Sequence, residues 1–215
     1  MLGSAGLASS RGGIGYHLWR RALQGPARTK CIRRRSSDRR KLAQPREIVA
    51  DLSGGAAHVP TVLHEVVHAL LHADFPFAPP SLEEGLATLF EAPVFPADGG
   101  IGGEAKNRRA PRLQAALSSP HERSEARLDV LFDMPADVFN AKKAGGAEVD
   151  ESKLSLHYAM ARAVTAWLDA QGKLWPFYRA WRDHYYDDPW GKDAFRRVTG
   201  KKPKEANDAW VAWSR

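Results

Sequence analysis

Three residues whose types and spacing can do chemistry stand close together in this chain: His64, Glu65 and His68, in the run His64-Glu65-Val66-Val67-His68. On a helix, residues i and i+4 lie on one face, one turn apart. Both imidazoles can therefore reach a single metal ion. The glutamate between them projects beside that ion, where it can take a proton from a metal-activated water. Val62, Leu63, Val66, Val67, Ala69, Leu70 and Leu71 make the helix apolar almost all round, which predicts burial. Histidines on such a helix are often satisfied core residues. Two histidines and a glutamate buried together need polar partners, because unpaired buried groups are costly. A divalent cation, Zn²⁺ above all, would satisfy all three.

Catalytic zinc usually has three protein ligands and one open position. The third has several candidates here. His72 continues the i+4 series but drifts around the helix and reads as a bystander. Asp74 lies close behind it, and His72 or Asp74 could instead close a purely structural site as a fourth ligand. A better candidate lies in the segment 81 to 91, Ser81-Leu82-Glu83-Glu84-Gly85-Leu86-Ala87-Thr88-Leu89-Phe90-Glu91. Pro79 and Pro80 end the preceding stretch, Ser81 reads as an N-cap, and Leu82, Leu86, Leu89 and Phe90 form a helical stripe. Glu84 reads as sitting in the first turn, where a carboxylate is favoured by the helix dipole.

This pair of helices resembles the gluzincin metallopeptidases, in which a His-Glu-x-x-His helix is followed by a Glu-Gly-x-Ala-x-x-x-Glu helix. The short separation between His68 and Glu84 is more similar to the small bacterial peptidase-MA-like domains than to the large enzymes. Asp74 stands where the metzincin pattern would have a third histidine, which argues against that group. The resemblance implies that His64, His68 and Glu84 bind zinc and that Glu65 is the general base. It also implies that Thr88 and Glu91 support the site. A swap of Glu84 for Glu83 stays open on the sequence. Within the helix expected over 156 to 168, Tyr158 matches the tyrosine that donates a hydrogen bond to the oxyanion in aminopeptidase-like gluzincins, and His157 is the alternative. The implied activity is peptide-bond hydrolysis, with a peptide or protein as substrate.

The elements that must position these residues are legible in outline. Residues 46 to 52 alternate weakly and end at Ser53-Gly54-Gly55, which predicts a strand bordering the cleft. Short helices are expected over 112 to 117 and 127 to 132, with loops at 99 to 103 and 144 to 146. Gly172 should stop the Tyr158 helix. Arg108 and Arg109 read as solvated surface residues, with binding of a substrate carboxylate as the alternative. The aromatic residues from Trp175 to Trp213 fall at helical spacings and read as core. The expected class is α+β: a mostly helical zincin-like domain over residues 46 to 215, with a short strand region at its start and a helical C-terminal part.

The chain's 215 residues and 43% apolar content suit one domain with a true core. One cysteine, Cys31, excludes an internal disulfide and a cysteine-based metal site. No apolar run approaches the length of a membrane span. Residues 1 to 41 hold eleven Lys or Arg against one acid, Asp38. Taking that +10 from the chain's +7 leaves −3 on the rest, so the basic character belongs to the first segment and not to the domain. Residues 1 to 45 are expected to be a disordered arm. No nucleic-acid partner is expected for the domain, but the arm could bind nucleic acid or an anionic surface. The competing reading of the whole chain is therefore a non-catalytic, metal-binding zincin-like module with a nucleic-acid-binding arm. The arm lacks the apolar core of a secretory signal and has some features of a transit peptide. A mis-called start and a truncated upstream part are further alternatives for it, and localisation and oligomeric state stay open.

Overall fold

The computed structural model describes residues 59–94, 97, 102–103, 108–142 and 148–215. The strand expected over 46 to 52, the basic arm and the loop at 144 to 146 lie outside the described residues. Those described are mostly helical, in the order α1 (Val59–Asp74), α2 (Pro80–Phe90), β1 (Pro93–Val94), β2 (Gly102–Gly103), α3 (Ala110–Ser118), α4 (Leu128–Phe132), α5 (Ala136–Phe139), α6 (Glu151–Asp169), α7 (Leu174–His184), α8 (Lys192–Thr199) and α9 (Pro203–Ser214). Strand structure among them is slight: β1 and β2 pair antiparallel, Pro93 with Gly103 and Val94 with Gly102, and Lys142 bridges Val149. The sheet component of an α+β class is thus nearly absent from the described residues. No helix among them is long and apolar enough to cross a membrane.

α6 is the central element. Asp150 caps it by accepting from the Lys153 backbone N–H at 3.1 Å, and eleven of its residues are buried. The helix ends at Asp169, and Gly172 follows in the left-handed region at φ 66°, as the expected stop requires. α6 also meets α3, α4 and α9, and α4 is tied to α9 by the buried bond from the Leu128 N–H to Asn207 Oδ1 at 3.0 Å. The aromatic segment is largely core: Phe177, Tyr178, Trp181, Phe195 and Trp210 are buried, and Phe132 stacks among Phe177, Trp181 and Phe195. Tyr186 and Trp190 are exposed.

α2 crosses α6 at very short range, and Gly85 is the reason it can. A Cβ there would lie 2.7 Å from Thr165 Cγ2 and 2.8 Å from the Ala161 carbonyl oxygen. The Thr165 hydroxyl also donates to the Gly85 carbonyl at 3.0 Å. The glycine after Glu84 therefore has a packing role: it lets α2 sink onto α6. Seven residues of α2 are buried, Leu82 and everything from Gly85 to Phe90. Its start differs from expectation. Pro79 is the N-cap, Pro80 opens the helix, and Ser81 makes no capping bond, because proline already supplies the φ a first turn needs.

α1 differs from the buried helix its composition predicts. Leu71 is its one buried residue, and Glu65 and Leu70 are exposed. The helix packs mainly on α2, which covers one side of an all-round apolar cylinder. Its C-terminus is held firmly: Asp74 accepts from the Tyr178 hydroxyl and from Arg182 Nη1, both at 2.6 Å. Phe75 then buries against Tyr178 and Tyr185, and the connection to α2 is complete within a few residues.

Candidate metal centre

The close approach of α1 and α2 brings His64, His68 and Glu84 together, with one ligand atom from each inside a 4.8 Å envelope. The two imidazole Nε2 atoms are 3.1 Å apart. Glu84 lies across from them, Oε2 at 3.4 Å from His64 Nε2 and Oε1 at 3.6 Å from His68 Nε2. Zinc bonds of 2.0–2.1 Å at tetrahedral angles place ligand atoms about 3.3 Å apart. The separation of the two imidazole nitrogens lies near that value, and so does the distance from each to one of the two Glu84 oxygens. The donor set, two imidazoles and one carboxylate, is also that of catalytic zinc sites.

Glu83 faces elsewhere, with Oε1 3.3 Å from His72 Nδ1. Consecutive residues on a helix point about 100° apart, so only one of the two glutamates can serve the His64–His68 pair, and it is Glu84. Asp74 is taken by Tyr178 and Arg182 and stands outside the cluster. Glu65 is exposed on α1, near enough to His68 to act on it electrostatically.

Behind the His64–His68–Glu84 cluster lies a polar layer. Glu91 places Oε2 3.5 Å from His64 Nδ1, the orientation that leaves Nε2 for the centre. Glu91 in turn accepts from Arg109 Nη2 at 3.3 Å, and Arg108 lies 3.5 Å away. Burial alone would raise Glu91. The bond to His64 and the two arginines outweigh it and hold the carboxyl at about 2 instead of 4.5. Thr88 serves through its hydroxyl, which donates to the Glu84 carbonyl at 2.5 Å and the Gly85 carbonyl at 3.2 Å. The Thr88 carbonyl accepts from buried Arg162 at 3.2 Å. Without a metal, burial pushes His64 down, but its bonds to Glu84 and Glu91 raise it to about 9. Burial leaves His68 lowered, so it stays neutral and can accept from His64.

Tyr158 reaches the site from α6. Its hydroxyl lies within the influence of Glu84, and burial together with the charge of Glu84 pushes the phenol up to about 12. Its ring packs edge-on against Phe139, and the Arg109 guanidinium lies 5.5 Å from its centroid. His157, the alternative, turns away: it is buried and its Nδ1 bonds the Phe139 carbonyl at 2.8 Å. His157 and Tyr158 point about 100° apart on α6, and here the two side chains go to different surroundings.

Two features escape the sequence. Arg109 is not a solvated arginine but the partner of Glu91 and a cover for Tyr158, whereas Arg108 is largely exposed. The Asp74–Tyr178–Arg182 anchor joins residues more than a hundred positions apart, and no local pattern announces it. Compared with known proteins, the chain matches no family model, no curated protein and no solved structure.

Proposed function

We propose that this protein is a zinc-dependent metallopeptidase of the gluzincin type, built as a small peptidase-MA-like, zincin-like domain. The observation that carries the reading is the convergence of His64, His68 and Glu84 from two helices at separations suited to one zinc ion. Zn²⁺ held by these residues would supply Lewis-acid chemistry, acidifying a water and polarising a carbonyl oxygen.

The remaining work falls to the chain. Glu65, exposed beside His68, takes a proton from the water that attacks the peptide carbonyl carbon and passes it to the amine nitrogen as the C–N bond breaks. Tyr158 keeps its proton at neutral pH, since its phenol is pushed up to about 12, and can donate a hydrogen bond to the developing oxyanion. Glu91, kept ionised by Arg109 and Arg108, holds the His64 ring in orientation.

The test is zinc content and peptide turnover of the full chain beside two variants. The wild type should hold about one zinc and cleave a mixed peptide library. Glu84→Ala should lose the metal. Glu65→Gln should keep it and lose turnover by roughly 10²–10⁴-fold, the usual worth of a general base. Zinc bound without turnover under any condition would instead support a non-catalytic zincin-like module. No zinc in the wild type would sink both readings.

A further inference from the structure

α1 carries a third histidine one turn beyond the second, and α2 carries a second glutamate beside the first. Glu84 faces His64 and His68, while Glu83 faces His72. The His68 and His72 rings stack, 6.4 Å between centroids and 29° between planes. His68, His72 and Glu83 bring one ligand atom each inside the same 4.8 Å envelope that holds His64, His68 and Glu84. His72 Nδ1 and Glu83 Oε1 are 3.3 Å apart, again near the roughly 3.3 Å that a tetrahedral zinc ion imposes on its ligand atoms. The two helices thus repeat one donor pattern, two imidazoles and a carboxylate, displaced by one turn.

We infer that His68, His72 and Glu83 form a second site for a divalent transition-metal ion, one helical turn from the first and mutually exclusive with it. The inference rests on the proposed function only in giving His68 two alternative duties. Exclusion follows from that sharing. A neutral imidazole has one lone pair for a metal, and serving two ions at once would require loss of its remaining N–H proton. The outer set lies one turn further along α1; its His72 side chain is 28% exposed, against 18% for His64 and His68, while the His72 Nδ1 atom that faces Glu83 is buried. An ion passing between the two sets needs only to exchange His72 and Glu83 for His64 and Glu84 while keeping His68.

The test is titration of the metal-free full chain with Co²⁺, read by visible absorption, and with Zn²⁺ against a competing chelator. The proteins are the wild type, Glu84→Gln, His72→Gln, and the double variant Glu84→Gln/His72→Gln. Circular dichroism of each shows whether it is folded. The wild type should bind one ion, and His72→Gln should bind one with nearly unchanged affinity. Glu84→Gln should still bind one ion with a different Co²⁺ spectrum. Its affinity should fall by more than the roughly 10–100-fold that outer partners of a ligand are worth. The double variant should bind none. Complete loss of metal in folded Glu84→Gln would overturn the second site, as would equal binding by Glu84→Gln and the double variant. Two ions bound at once in the wild type would overturn the exclusion. Binding abolished by His72→Gln and untouched by Glu84→Gln would leave the outer set standing and sink the inner one, so the two readings fail separately. Glu83→Gln in place of His72→Gln repeats the test from the other helix.

Discussion

The two helices that carry His64, His68 and Glu84 are held in opposite ways. α2 buries seven residues and lies so close to α6 that only a glycine fits at position 85. α1 buries one residue and is pinned mainly at its C-terminal end, through Asp74. Glu84 therefore comes from the rigid part of the molecule, and His64 and His68 from a helix laid on its surface. A metal ion bound between them would tie the lightly held helix to the firmly held one. In such an arrangement metal binding and the docking of α1 are one equilibrium, and α2, α6 and their polar layer form the template.

The largest effect should come from the rigid side. Tyr158→Phe keeps the ring against Phe139 and removes only the hydroxyl. Turnover should fall by about 10²–10³-fold, the usual worth of an oxyanion donor, at unchanged zinc content and melting temperature. Unchanged turnover would reduce Tyr158 to a packing residue. Zinc removal sharpens the contrast directly. For free zinc at 100 times Kd, chelation should withdraw about 2.7 kcal/mol from whatever the ion stabilises. Hydrogen exchange should then rise over 62 to 72 and stay nearly constant over 85 to 90 and 159 to 168. A uniform rise across all three stretches would contradict a lightly held α1 on a rigid base.

Gly85→Ala tests the base itself. The added methyl meets a backbone oxygen at 2.8 Å, which α6 cannot move cheaply. A loss of about 1–3 kcal/mol in chemical denaturation is expected, together with weaker zinc binding as Glu84 shifts. Stability equal to the wild type would mean that α2 and α6 are not closely docked. The smallest effect concerns pH. Burial lowers the His157 pKa below its ordinary 6.5, more than its bond to the Phe139 carbonyl raises it. The unfolded chain then binds this proton more readily. Stability is retained above 6.5 and lost as pH falls below it through the depressed folded value. In His157→Gln the acid limb of stability against pH should be flatter over that window, and an identical limb would show that His157 titrates normally.

Much of this was legible in the residues. The 3.6-residue period marks α1, α2 and α6, and Gly172 marks the end of α6, because helix periodicity and stop signals are local. The spacing of His64 and His68 alone places them on one face. Other features were not legible. The apolar circumference of α1 predicts burial, yet burial depends on how many neighbours arrive, and among the described residues mainly α2, with part of α7, lies against it. The conversion of Arg109 from a surface charge to the partner of Glu91 depends on a contact across eighteen residues of chain.

Composition and local spacing by themselves determined the donor types, the pairing of the two histidines and the helical stretches that carry them. Tertiary structure alone decided which glutamate faces the pair, which of His157 and Tyr158 turns inward, and what becomes of His72 and Asp74. The physical reason is the same in each case. Spacing sets the angle between neighbours on one helix, but the rotation of one helix against another is set by the side chains between them, here by the close approach at Gly85.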